Sequence, residues 1–382
     1  MLTIITIMFD RTIESAIIGR LNKNKIIIIY WPRQVGKTTL AKKLMSHYRK
    51  PVYINCDDPT VVQALTHKSA SELYQYLGTD DMVVIDEAQR VTNIGLSLKL
   101  LIDQYPHLQI IATGSSSFEL SQQISEPLTG RKYEFMLYPL SIQELQSQYT
   151  NPEIISQLNT RVITGMYPNI VTHNDLVDLK SLASSYLFKD ILEHQQIKNP
   201  QLLTRLLQAL ALQISSEVSY TELAQLLWVD KNTIQRYIEL LEKAFIVFTL
   251  PSLNRNQRNE LKKAKKIYFY DVWLRNAVIN NFNKPALRDD IGKIRENFVI
   301  MEIIKTLQNH EWMYNYYFWR TTSQQEIDFI AEWWWTIHAY ECKRSPKKLA
   351  SLPTSFANSY PNHTFTVINP DNLLTNISQL KP

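Results

Sequence analysis

The chain has 382 residues, too many for one ordinary hydrophobic core, so two or three domains are expected. Hydrophobic residues make up 45%, enough for globular packing, while the 2 cysteines, Cys56 and Cys342, exclude a disulfide framework and fit a reducing cytosol. A formal charge of +5 is modest for this length: it permits a nucleic-acid partner without requiring one.

The opening MLTIITIMFD lacks the basic start, long apolar segment and small-residue cleavage site of a secretory leader. No run approaches the ~20 apolar residues of a membrane span, so a soluble, cytoplasmic protein without membrane contact is expected. Residues 26–30 (IIIIY) form a short, continuous apolar run, as in a strand buried on both faces, and TTLAKKLMSHY follows at helical spacing. Further apolar runs at Val52 to Asn55, Met82 to Asp86 and Leu108 to Thr113 alternate with helical patterns, which predicts a parallel α/β sheet with crossover helices. Tyr133 to Leu137 reads as one more strand, and the first domain is expected to span residues 1–150.

Residues 151–250 read as mostly helical, with a loop at Gly165 to Asn169. Three helical segments, LLTRLLQALALQI, YTELAQLL and NTIQRYIELLEKA, end in the β-rich FIVFTLP. The short WVDK between the last two has helix-turn-helix spacing, and the following strand predicts a winged version. A basic loop, RNQRNELKKAKK, precedes the strand IYFYD. Residues 251–382 read as an α+β domain: a helix around Glu296 to Leu307, a strand pair through Phe318 to Ala331 and Thr336 to Lys343, another helix, and a last strand TFTVI.

Trp31-Pro-Arg-Gln-Val-Gly-Lys-Thr matches the P-loop pattern G-x-x-x-x-G-K-[ST] at every fixed position but the first. Between a buried strand and an amphipathic helix, this pattern predicts an ATP site. Gln34, Val35, Gly36, Lys37, Thr38 and Thr39 surround the phosphates; Lys37 reaches the β/γ oxygens and Thr38 ligates Mg²⁺. MVVIDEAQR places two carboxylates at the end of another apolar strand. Asp86 suits holding Mg²⁺ through water, and Glu87 suits orienting or deprotonating the attacking water. After LQIIATG, the hydroxyls of Thr113, Ser115 and Ser116 could contact the γ-phosphate or the water; a serine-rich turn accounts for them equally well. Arg131 could lend charge to a neighbouring subunit's phosphate in a homo-oligomer, or be a surface salt-bridge partner.

The strings PRQVGKTTL, VVIDEAQR, TGSSS, LTGRKYEF and LYPLS, and later KAFIVFTLPSL, IGKIRENFVIMEII and FWRTTSQQEIDFI, resemble a family of prokaryotic AAA-type P-loop ATPases. Its members carry a C-terminal domain of uncharacterised function with a restriction-endonuclease-like fold. The resemblance spans nearly the whole chain and implies nucleotide binding and ATPase activity, with Lys37, Thr38, Asp86 and Glu87 at the family's motif positions.

Certain tryptophans stand where glycine is expected. Trp31 replaces the first P-loop glycine, Trp228 occupies the turn of the helix-turn-helix, Trp273 stands where the family has glycine, and Trp333 to Trp335 sit at a hairpin tip. Average usage predicts about 27 glycines in this length. There are 8, which suggests UGA codons that the organism reads as glycine.

Asp328 followed by Glu341-Cys342-Lys343 across a hairpin resembles the PD-(D/E)xK nuclease core, in which two carboxylates hold a divalent metal and a lysine activates water. Asp328 and Glu341 are the candidate ligands, with Glu296 or Glu302 as a helix-borne addition; ordinary salt-bridged charges are the alternative. Lys and Arg outnumber Asp and Glu across residues 251–348, and the Lys262 to Lys266 cluster flanks the wing, so phosphate-backbone contact through the 255–266 loop is expected. Asn232, Thr233, Gln235 and Arg236 could face a DNA groove. Three readings compete: a Mg-ATPase moving its winged-helix and C-terminal domains on DNA, a nucleotide-gated binding module for DNA or protein, and an ATP-regulated metal-dependent nuclease.

Overall fold

The computed structural model describes residues 8–30, 34–78, 81–114, 120, 123–173, 199–254, 265–347 and 350–380. The chain divides into two compact units, Asp10–Leu140 and Ser141–Pro382, with Phe9 belonging to the second.

In the first unit, helix α1 (Ile13–Arg20) precedes strand β1 (Ile26–Tyr30), whose five residues are all buried, as a run of three or more β-branched residues packed on both faces requires. Helix α2 (Lys37–Met45), β2 (Val52–Asn55), α3 (Pro59–Leu65), α4 (Ala70–Leu77), β3 (Met82–Asp86), α5 (Ile94–Gln104), β4 (Gln109–Gly114) and β5 (Lys132–Met136) follow. Two of these helices begin where a side chain satisfies their free amides. Asp58 caps α3, with Pro59 in its first turn, and Ser69 and Glu72 form a reciprocal capping box on α4. The strands assemble in the order β2-β3-β4-β1-β5, every pair parallel, giving a P-loop NTPase-like α/β sheet. Because the sheet is parallel, the carboxyl ends of β1, β3 and β4 lie along one edge, where ligand sites of such sheets form.

The second unit starts earlier than residue 151. Short helix α6 (Ile142–Leu145) carries its own Ser141/Glu144 capping box, and the Ile142 amide donates to Glu302 at 2.7 Å, which ties it to this unit. Helices α7 (Asn151–Thr164) and α8 (Pro168–His173) follow; the expected loop at Gly165 to Asn169 is cut short because Pro168 opens a helix.

Next come α9 (Pro200–Leu212), β6 (Ser216–Val218), α10 (Tyr220–Leu227), α11 (Lys231–Lys243), β7 (Val247–Pro251) and β8 (Lys265–Phe269). The three strands form an antiparallel sheet in the order β6-β8-β7. Strand β8 therefore belongs with the three helices rather than with the domain beginning at residue 251. Its partners are set by Thr249 opposite Ile267 and by Ser216 opposite Ile267 on the other side.

Helix α12 (Val272–Val278) and the long α13 (Ile291–Asn309) lead into β9 (Asn315–Arg320), β10 (Glu326–Trp333), β11 (Thr336–Cys342), helix α14 (Thr354–Ser359), β12 (His363–Ile368) and α15 (Leu373–Ser378). The expected strand from Phe318 to Ala331 is two strands, separated by the polar turn Thr321 to Gln325. Their sheet runs β12-β11-β10-β9 and is mixed: β11 and β12 are parallel, the other pairs antiparallel. An apolar cluster of Trp319, Ile327, Ile330, Ala339 and Phe356 covers one of its faces. Among the described residues, no helix is long and apolar enough to cross a membrane.

Candidate nucleotide site

Between β1 and α2 the backbone takes two left-handed residues, Gln34 at φ +66° and Gly36 at φ +95°. Only glycine adopts the second without strain; the backbone angle and not crowding demands it, since an added β-carbon would meet only the Arg11 guanidinium, at an ordinary contact distance of 3.7 Å. Helix α2 then opens at Lys37 with no acidic residue in its first turn, leaving its amides and positive dipole end to an anion. Lys37 is 5% exposed and Val35 fully buried, so the loop lies against the core, whereas Gln34 and Thr39 face solvent.

Two residues not singled out by the sequence hold this loop and its carboxylate. Arg11 donates from Nη1 to the Val35 carbonyl at 2.8 Å and from Nη2 to the Tyr138 carbonyl, pinning the loop backbone to the segment after β5. Tyr53, on β2, donates its phenol to Asp86. No short motif marks either one; only the sheet order, which sets β2 beside β3, reveals the tyrosine.

Asp86 ends β3 and is 5% exposed. Thr38 Oγ1 donates to its Oδ2 at 2.8 Å, Tyr53 donates to the same oxygen, and Thr113 donates to Oδ1. Burial works to raise the Asp86 pKa, yet these three hydroxyls and the nearby Lys37 charge hold it below the ordinary carboxylate value. Asp86 is thus kept ionised beside the Thr38 hydroxyl, a donor set of two hard oxygens that fits Mg²⁺. Glu87 follows in a left-handed conformation (φ +53°), and Gln89 Nε2 donates to its Oε2 at 2.6 Å, fixing the carboxylate.

Thr113, at the end of the neighbouring β4, reaches Asp86 rather than open space. Trp31, Ser115 and Ser116 lie outside the described residues. Arg131 sits elsewhere: its carbonyl accepts the Ile26 amide at the amino end of β1, the opposite edge from the P-loop, and its Nε lies 2.6 Å from Asp103. Within the chain, Arg131 is therefore paired with Asp103 and lies away from its own P-loop.

In the second unit, Asp328 lies where the β9–β10 register shifts, next to the Phe329–Tyr340 pair at which the β10–β11 register begins. Burial, then the charges of Glu296 and Glu341, push the Asp328 pKa well above its ordinary value. Each carboxylate nonetheless has a protein partner. Cys342 N donates to Asp328 at 2.8 Å, Lys343 Nζ lies 2.5 Å from Glu341, and Lys266 Nζ lies 3.5 Å from Glu296 and against Glu326. Glu302 faces Lys305 instead, at 2.6 Å. Among the described residues, no group of three or more His, Cys, Asp or Glu is arranged to hold a metal ion.

On α11, Lys231, Asn232, Gln235 and Arg236 are exposed. Thr233 is committed to the Asp230 cap, through its amide at 2.9 Å and its hydroxyl at 2.6 Å. Most of the basic 255–266 loop, including Lys262, lies outside the described residues; Lys266 is buried.

Residues 23–146 match the family described as an AAA domain, and residues 155–285 and 291–379 match two domains of unknown function, DUF8612 and DUF4143. An uncharacterised protein of Methanocaldococcus jannaschii is 26% identical over 78% of this chain and 69% of its own length. An uncharacterised protein of Mycobacterium tuberculosis is 24% identical over 85% and 71%. A Walker-type ATPase of Pyrococcus abyssi shares the fold with a TM-score of 0.50 at 16% identity, covering 71% of this chain and 96% of that one. With the geometry above, these matches support an AAA-type P-loop ATPase domain over residues 23–146, followed by two domains of unknown function.

Proposed function

We propose that the chain binds ATP with Mg²⁺ in the Asp10–Leu140 unit, hydrolyses it, and uses the cycle to change the state of its α9–β8 module and C-terminal sheet on DNA. The observation that carries the ATPase reading is the 2.8 Å hydrogen bond from Thr38 to an ionised, buried Asp86, directly behind the left-handed Gly36. In this reading Lys37 and the first amides of α2 hold the phosphates, and Thr38 and Asp86 hold the magnesium. Glu87 orients the water that attacks the γ-phosphorus, releasing phosphate and ADP.

The DNA arm rests on the order α9, β6, α10, α11, β7, β8 with an antiparallel β6-β8-β7 sheet, the connectivity of a winged helix-turn-helix. Exposed Lys231, Asn232, Gln235 and Arg236 on its second helix suit a groove. The metal-dependent nuclease reading gains no support from the Asp328 and Glu341 cluster, whose carboxylates already face lysines or an amide.

Phosphate release and ATP retention, measured on the parent chain and on Glu87→Gln, test the central reading. Loss of turnover with binding preserved is expected. Undiminished turnover would remove Glu87 from the mechanism, and binding without turnover in both proteins would favour a nucleotide-gated binding module.

A further inference from the structure

Of the tryptophans that stand where glycine is expected, Trp228 and Trp334 take the left-handed backbone that glycine adopts most easily, whereas Trp273 is a fully buried residue of α12. Trp228 closes α10 at φ +57°, ψ +46°. Its amide donates to the Gln225 carbonyl at 3.3 Å and the next amide, Val229, donates to the Ala224 carbonyl at 3.0 Å. This pair of bonds defines a Schellman helix end, whose left-handed residue is usually glycine because a β-carbon there crowds the following carbonyl. Gly78 ends α4 in the same left-handed region, at φ +64°.

Trp334 stands at the second position. Trp333 pairs with Thr336, so Trp334 and Trp335 form a two-residue hairpin loop between β10 and β11. Trp334 has φ +56° and Trp335 does not have positive φ, the sign pattern of a turn that takes glycine first.

Side-chain packing does not compensate at either place. Trp228 is 88% exposed and Trp334 79% exposed. Phe245, the other large aromatic with positive φ among the described residues, is 9% exposed and its ring meets Tyr270 at 5.7 Å. Two of the seven described tryptophans at positive φ far exceed the few per cent usual for non-glycine residues. The chain also holds 8 glycines where average usage predicts about 27.

We propose that residues 228 and 334 are glycine in the living cell, encoded by UGA codons that the source organism reads as glycine, and that residue 31, the first fixed glycine of the P-loop pattern, is a third. The assignment at 228 and 334 is independent of the nucleotide reading, since both residues lie in the Ser141–Pro382 unit. At position 31 it supplies the small residue through which the loop backbone approaches a phosphate.

The test is peptide sequencing by mass spectrometry of the protein purified from its source cells, beside the codons of its gene. Glycine at 228, 334 and 31, with UGA codons, is expected; UGG codons or tryptophan in the 228 and 334 peptides overturn the proposal. The backbone premise is tested separately in the full chain by urea unfolding of Trp228→Gly and Trp334→Gly. Each is expected to raise the folded-to-unfolded ratio roughly 5- to 30-fold. Trp319→Gly, which empties a core site 8% exposed and 5.2 Å from Phe356, is expected to lower it. No gain from either glycine variant, with Trp319→Gly destabilised, overturns the premise.

Discussion

Arg11→Ala strikes the loop without touching any motif residue. Its guanidinium donates to the carbonyls of Val35 and Tyr138, residues 0% and 1% exposed. Truncation removes a charged donor from two buried carbonyls, at about 1–3 kcal/mol each. Water entering the vacated space recovers part of this, so a net loss of about 2–4 kcal/mol is expected. The same change frees the backbone at Val35, and reordering one residue on binding costs about 1–2 kcal/mol, or roughly 5- to 30-fold in nucleotide affinity. Arg11→Lys keeps the charge but not the two-pronged reach, and belongs between the two. Denaturant unfolding gives the first quantity and equilibrium binding of a non-hydrolysable ATP analogue the second. If Arg11→Ala unfolds at the parent midpoint and binds the analogue equally well, the clamp does not position the loop.

Burial raises the Asp271 pKa to about 6, and only in part do the Lys305 charge and the amides of Met166 and Trp273 oppose it. The folded chain therefore holds a proton there that the unfolded chain has released, so stability falls as pH rises from about 4 to about 6, by about 3 kcal/mol in all. Asp271→Asn should flatten that slope in pH-dependent unfolding; an unchanged slope would contradict the assignment. Glu302 is fully buried and accepts from Lys305 Nζ at 2.6 Å and from the Ile142 amide at 2.7 Å. Glu302→Ala should cost about 3–5 kcal/mol, and Glu302→Met with Lys305→Met distinctly less, because the double change buries no lone charge. On the exposed face of α11, Lys231→Ala and Arg236→Ala should each weaken duplex DNA binding and reduce the magnitude of the salt slope by about 1. Binding indifferent to both and to salt would sink the DNA arm.

The parallel sheet was legible because its strands are short, unbroken apolar runs whose burial needs no partner to be inferred. Met82 to Asp86 and Val52 to Asn55 fall where the pattern sets them, and Leu108 to Thr113 is displaced by one residue. Gly36, Lys37 and Thr38 were legible because the P-loop pattern encodes backbone geometry directly, and Asp86 because it closes a short, unbroken apolar strand. Tyr53 and Arg11 were not, since each acts through a tertiary neighbour that local sequence does not name. Strand β6 is three residues long, too short for period-two alternation to register, and without it β8 has no visible reason to join α9 to α11. Arg131 was not placeable from sequence: its position at the amino edge of the sheet and its pairing with Asp103 follow from the strand order alone. Thr233 likewise reads as a groove-facing hydroxyl until the Asp230 cap is seen to occupy it.

The account stands most directly on magnesium-dependent binding of ATP by the full chain carrying glycine at position 31, measured by equilibrium dialysis against Lys37→Ala in the same background. Saturable binding by the first protein, lost on chelating magnesium and on removing Lys37, is the predicted result. Equal retention by both, or by neither, would contradict a phosphate cradle at the start of α2.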